Sequence, residues 1–114
     1  MKVVVDWDGT VTVRDSLVAA VHALGDGSIY DVSLQETFAS YGEALAAEVG
    51  TLRCSADELA AWAVEHVEIR AGFHEFAERH EPLIVSSGLP QIILPVLERE
   101  GLELEWLAAA EVVG

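Results

Sequence analysis

The sequence predicts an α/β fold: a parallel, Rossmann-like sheet with a small helical cap inserted after its first strand. Three observations carry this. Residues 2–5 are a short β-branched run that stops at Asp6 and Gly9. Leu83, Ile84 and Val85 make a second apolar run, which enters Ser86-Ser87-Gly88. The stretch between them carries two helix-start signatures. Continuous rather than alternating apolar runs belong to strands buried on both faces of a parallel sheet.

Residues 2–5 therefore read as a central strand. After the loop, Asp15 can cap a helix through Leu24, with Gly25 and Gly27 as its stop. Ser33-Leu-Gln-Glu36 and Ser55-Ala-Asp-Glu58 both have the capping-box pattern, in which hydroxyl and carboxylate satisfy each other's orphan amides. They predict helices over 34–49 and 56–67. Leu45 and Val49 on one, and Leu59, Trp62 and Ala63 on the other, recur at three- and four-residue spacing, so the two helices are expected to pack together.

Residues 72–79 form a further amphipathic helix with Phe73 and Phe76 on one side, stopped before Pro82. Following the second strand, Pro90 suits the first turn of a helix running to Arg99, with Pro95 in that turn or kinking the helix. Gly101 ends it, and alternation over 102–106 around Glu103 and Glu105 predicts a third strand. The organisation expected is a partial core, 1–14 and 72–114, with a cap over 15–71.

A chain of 114 residues is one domain by size, and 52% hydrophobic residues are enough to fold it. Its formal charge of −14, from 20 acidic and 6 basic residues, repels phosphate backbones and anionic membranes, which argues against nucleic-acid or membrane partners. The same field opposes small anions, so phosphate chemistry here would lean on a local metal cation and backbone amides.

Cys54 is the only cysteine, excluding an internal disulfide or a multi-cysteine zinc site, and a reducing cytoplasm fits. The longest uncharged stretch, 82–97, is broken by Ser86, Ser87, Gly88, Pro90 and Pro95, so it is not a spanning helix. The N-terminus runs straight into the first strand, from which no signal peptide is expected.

The chemistry concentrates at two strand ends. Asp6-Trp7-Asp8-Gly9-Thr10 places two carboxylates two residues apart behind an apolar strand. One can attack phosphorus while the other protonates the leaving oxygen. Mg2+, which favours hard oxygen ligands, would bridge Asp6 and a phosphate oxygen, Gly9 lets backbone amides approach the phosphate, and Thr10 adds a hydroxyl. Alone, the pair reads equally well as an acidic turn. Ser86 changes the balance: it ends an apolar strand before Gly88 and a helix start, where a hydroxyl and amides can hold a phosphate. Side by side, two such ends form the carboxyl edge of a parallel sheet, where ligands bind in open α/β folds.

The order Val3-Val-Val-Asp-Trp-Asp-Gly-Thr-Val-Thr12, then Leu83-Ile-Val-Ser-Ser-Gly88, resembles the first and second motifs of the haloacid dehalogenase superfamily. The segment between them is similar to the small cap of its phosphoserine phosphatase branch, which includes the methylthiopentenyl phosphate phosphatases. The resemblance implies a magnesium-dependent phosphomonoester hydrolase acting on a small phosphorylated metabolite through an aspartyl-phosphate. By it, Asp6 is the nucleophile and a magnesium ligand, and Asp8 is the acid/base whose backbone carbonyl also meets magnesium. Ser86, with Ser87 and Gly88, binds phosphate. Asp15 matches an acidic substrate-side residue, and Arg70 falls near a substrate-contacting arginine.

Two parts of that pattern are missing. Lys2 is the sole lysine and precedes the first strand; after Ser86 the acids are Glu98, Glu100, Glu103, Glu105 and Glu111, none in a glycine-aspartate loop. The expectation is the front part of a longer phosphatase, slow or inactive as this chain, or a non-catalytic shortened homologue that binds magnesium, phosphate or a protein partner. An incomplete sheet also leaves an open edge through which two copies are expected to pair. His22, His66, His74 and His80 have no spacing for a common metal.

Overall fold

The computed structural model describes residues 2–86 and 88–108. Strands β1 (Val4–Asp6), β2 (Leu83–Ser86) and β3 (Trp106–Ala108) form a parallel sheet in the order β1-β2-β3. Val4 pairs with Leu83 and Asp6 with Val85; Ile84 pairs with Trp106 and Val85 with Leu107. The chain is thus a mixed α/β structure with a narrow parallel sheet.

The helices are α1 (Ser16–Leu24), a short α2 (Val32–Gln35), α3 (Tyr41–Gly50), α4 (Ala56–His66), α5 (Phe73–His80) and α6 (Pro90–Glu100). Asp15 caps α1 by accepting from the Val18 amide at 2.9 Å. Ser55 and Glu58 close a reciprocal capping box on α4. Pro90 sits in the first turn of α6, where a missing N–H costs nothing. Pro95 lies in the helix interior, and Gly101 ends it in the left-handed region at φ 68°.

Four expectations need correction. The first strand is an edge strand among the described residues, with β2 at the centre, and it is not buried on both faces: Val4 is 59% exposed. The helix expected over 34–49 is two pieces. Asp31, rather than Ser33, caps α2, because its carboxylate accepts from the Ser33 amide and hydroxyl; α3 begins only after Ser40, whose hydroxyl takes the Glu43 amide. The third strand starts at Trp106, since residues 102–105 precede the ladder, although Leu102 and Leu104 do pack on the core. Finally, α4 does not rest chiefly on α3; its main partner is α6.

One apolar core joins these parts. Trp7, Val11, Ala20, Leu59, Ala63, Phe73, Ile84, Ile92, Ile93 and Val96 pack together, so α1 and α4 share a core with β2 and α6. Registered residues in a parallel pair point to one face. Val5, Ile84 and Trp106 face this core, while Val4, Leu83, Val85 and Leu107 stand on the opposite face.

Ser55→Ala removes a formed cap and is expected to cost about 1 kcal/mol in chemical denaturation. Ser33→Ala leaves the Asp31 cap in place and should change stability by less than about 0.5 kcal/mol.

Candidate active site

Residues Trp7–Val11 form a wide turn closed by the Thr12 amide, which donates to the Trp7 carbonyl at 3.1 Å. The turn is anchored from inside. Trp7 and Val11 are fully buried, and Trp7 fills the core beside the loop. Gly9 has φ 73°, a left-handed conformation that costs an L side chain roughly 1 kcal/mol or more, so glycine is required for the chain to reverse here.

Asp8 is the hub. Its Oδ1 accepts from the Ser16 amide at 2.8 Å and from the Ser16 hydroxyl. That hydroxyl in turn accepts from the Trp7 indole Nε1 at 3.2 Å. The amide of Ser16, in the first turn of α1, has no partner within the helix, so the carboxylate satisfies an orphan donor. Asp8 thereby docks α1 onto the loop. The Ser16 role was not among the sequence expectations; the signal for it was the polar N1 position that a helix start places beside any preceding acidic loop.

The Asp8 carboxyl is held above the usual carboxylate range, first by burial and then by the charges of Asp15 and Asp6, with the Ser16 hydrogen bonds acting the other way. An acid that keeps its proton at higher pH is suited to protonating a leaving oxygen. The other Asp8 oxygen faces Gly88. A Cβ added at Gly88 would come within 3.3 Å of Asp8 Oδ2 and 3.1 Å of Ser86 Oγ. A larger residue at this position would crowd both side chains, so Gly88 packs tightly between the end of the second strand and Asp8.

Asp6, Asp8 and Asp15 line one cavity of about 210 Å3 with Leu45 and the buried Glu48. That is smaller than usual ligand pockets of about 300–1,000 Å3, so only a compact molecule fits. No lysine or arginine lines it. The Tyr30 phenol lies against the same acids: its pKa is raised by burial first, then by Glu48, Asp15 and Asp8.

Not every expected residue meets the others. Asp6 is exposed and Ser86 buried; they sit one register step apart on paired strands, and strand alternation sends them to opposite faces. Asp8 bridges the two ends. The Gly9 amide donates to Thr12 Oγ1 at 3.1 Å and the Gly88 amide to Ser86 Oγ at 2.9 Å. A phosphate would have to displace both. Thr10 and Arg70 line a different cavity, with Phe73 and Phe76. The Arg70 guanidinium donates to the Gly9 and Thr10 carbonyls at 2.9 and 3.0 Å, bracing the turn from behind. Ser87 lies outside the described residues.

For a divalent cation, Asp6 and Asp8 supply hard oxygen donors in a cavity whose charged walls are all acidic, which suits Mg2+. Among the described residues no group of three or more His, Cys, Asp or Glu side chains is arranged to hold a metal. Mg2+ commonly takes one or two carboxylates and completes its shell with water and substrate oxygens, so the Asp6 carboxylate with the Asp8 backbone carbonyl fits that mode alone.

In comparisons with known proteins, no family model matches the chain, and no curated protein matches it. No helix among the described residues is long and apolar enough to cross a membrane.

Because folding raises the Asp8 pKa, the folded state holds this proton more tightly than the unfolded chain. That contribution is complete below about pH 4 and is lost as pH rises through the folded pKa. Asp8→Asn keeps an acceptor for Ser16 and removes the charge. Thermal melts from acidic to neutral pH should show a flatter decline for the variant and a melting point at neutral pH no lower than the parent's. A lower melting point with an unchanged slope would mean that the charged hydrogen bonds outweigh burial.

Proposed function

We propose that the chain is the phosphoryl-transfer portion of a phosphomonoester hydrolase of the haloacid dehalogenase type, acting on a compact phosphorylated metabolite. The observation that carries this reading is that Asp8 Oδ2 and Ser86 Oγ lie on either side of Gly88, 3.3 and 3.1 Å from where its Cβ would stand. A turn with two carboxylates and a strand-end hydroxyl meet at the carboxyl edge of a parallel sheet, where open α/β folds take ligands.

In this reading Asp6, the more accessible carboxylate, attacks phosphorus and forms an aspartyl-phosphate as the bond to the leaving oxygen breaks. Asp8 gives its proton to that oxygen. The resulting carboxylate then takes a proton from water, whose oxygen displaces Asp6 and releases phosphate. Ser86 stands on the opposite strand face from Asp6 and is linked to this cavity only through Asp8. Asp15 and Glu48, on the far wall, meet the leaving group. The Asp6 carboxylate and the Asp8 backbone carbonyl would hold Mg2+, which when bound offsets charge on the phosphoryl oxygens.

Two anions must approach each other here without a lysine or arginine on the cavity wall, and a placed cation is worth several kcal/mol of barrier in such transfers. Slow turnover by this chain follows. The same lack of a cation supports the second reading, a non-catalytic homologue that binds magnesium or phosphate. The free Cys54 thiol accords with a reducing, cytoplasmic setting.

Hydrolysis of an aryl phosphate with Mg2+ separates the two. The enzyme reading expects acid-stable protein-bound phosphate in the parent and none in Asp6→Asn, with Asp8→Asn slowed about 10²- to 10⁴-fold. Equal rates for the parent and Asp6→Asn, with Mg2+ still bound, would leave the binding reading standing.

A further inference from the structure

A second cavity, of about 280 Å3, opens where the first turn of α1 meets the last turn of α4. It shares only Asp15 with the carboxylate-lined cavity. At about 280 Å3 it lies just under the low end of usual ligand pockets, about 300 Å3, which suits one small molecule.

Trp62 and His66, one turn apart on α4, give this cavity its aromatic surface, with their rings stacked at 5.3 Å and 17°. The His66 Nδ1 lies 3.0 Å from the Trp62 carbonyl, which can only accept, so the imidazole donates there and is held against the indole. Ala19 and Val67 add aliphatic surface. A flat apolar group entering here meets aromatic surface already fixed in place.

Charges of both signs stand around that surface, from Arg14, Asp15 and Glu68. The Arg14 guanidinium makes no hydrogen bond or ion pair among the described residues, whereas those of Arg70 and Arg99 are taken by backbone carbonyls. An uncommitted planar fork on a cavity wall is a carboxylate receptor. The main chain fixes where these charges start: the Val13 amide donates to the Glu68 carbonyl at 3.0 Å and Thr12 bridges Ile69, so the segments carrying Arg14 and Glu68 are laced together. Asp15 gives Oδ1 to the Val18 amide and keeps its other oxygen.

Charge selects the ligand. A plain anion reaching Arg14 would also meet Asp15, Glu68 and the field of a chain at −14, while a plain cation would leave the guanidinium unanswered at close range. A zwitterion answers both signs and is neutral toward the field. An α-amino acid carries its carboxylate and ammonium on one carbon, which matches a cation and an anion on consecutive residues whose Cα atoms are about 3.8 Å apart.

We infer that this cavity binds an aromatic α-amino acid, with its carboxylate on the Arg14 fork, its ammonium between Asp15 and Glu68, and its ring against Trp62 and His66. The site uses none of Asp6, Asp8 or Ser86, so it stands whether or not the chain transfers phosphoryl groups.

The test is calorimetric titration of the full chain with L-phenylalanine. Saturable binding is expected, and it should be at least tenfold weaker for phenylpropionate, which lacks the ammonium, for phenethylamine, which lacks the carboxylate, and for L-alanine, which lacks the ring. Arg14→Gln and Glu68→Gln alter exposed side chains, so circular dichroism should report an unchanged fold. The first should weaken L-phenylalanine at least tenfold and the second by a smaller factor, since Asp15 still meets the ammonium. Trp62→Leu should remove the advantage of L-phenylalanine over L-alanine. Absence of saturable binding would overturn the inference. Phenethylamine binding as tightly as L-phenylalanine would mean only attraction of a cation to an acidic protein, and L-phenylalanine binding undiminished in Arg14→Gln would put the ligand elsewhere; either result overturns it equally.

Discussion

The carboxylate of Asp8 holds the site together. By accepting both the amide and the hydroxyl of Ser16, it fastens the first turn of α1 to the loop behind β1. Trp7 completes the link by sending its indole N–H to the same hydroxyl and its ring into the core. The loop therefore has little freedom to move. Its exposed side is walled by α1 and α3, and its inner side by Gly88 and Ser86. A buried carboxylate with two good donors and two acidic neighbours is a compromise between desolvation and hydrogen bonding. Here desolvation prevails, and the carboxyl is held above the usual carboxylate range.

Rigidity at this point comes from several weak contributions that converge. Thr12 receives the Gly9 amide and passes its own proton to the Arg14 carbonyl, while Arg70 reaches back over sixty positions to the Gly9 and Thr10 carbonyls. The Arg70 backbone amide binds the Val11 carbonyl as well, and Ile69 bridges Thr12. The segment leaving the helical region is thus stitched to the segment entering it. That two-way stitching fastens Ile69 and Arg70 to the loop that follows β1. Arginine serves this purpose well because its planar fork can hold two carbonyls at once.

The asymmetry of the sheet has the opposite character. On one face Ile84 and its neighbours are sealed by α4, α5 and α6; on the other, aliphatic side chains of the same strands meet water. Burying such groups is worth about 25 cal/mol per Å2, so an open face is a stabilisation not yet taken.

The amino-acid sequence by itself determined the strand ends, the capping of α1 and α4 and the residues of the loop. These rest on local rules: an apolar run, a hydroxyl three residues before a carboxylate, a glycine where φ must be positive. It also marked out Asp6, Asp8, Asp15 and Ser86 as chemically capable groups. Tertiary structure alone decided that Asp8 rather than Asp6 meets Ser86, because alternation across paired strands sends neighbouring residues to opposite faces and only the loop brings one of them back. It decided too that Arg70 supports the turn, that Ser33 yields its capping place to Asp31, and that β1 stands at an edge. Each of those outcomes is a competition among partners far apart in the chain, and no local pattern carries its result.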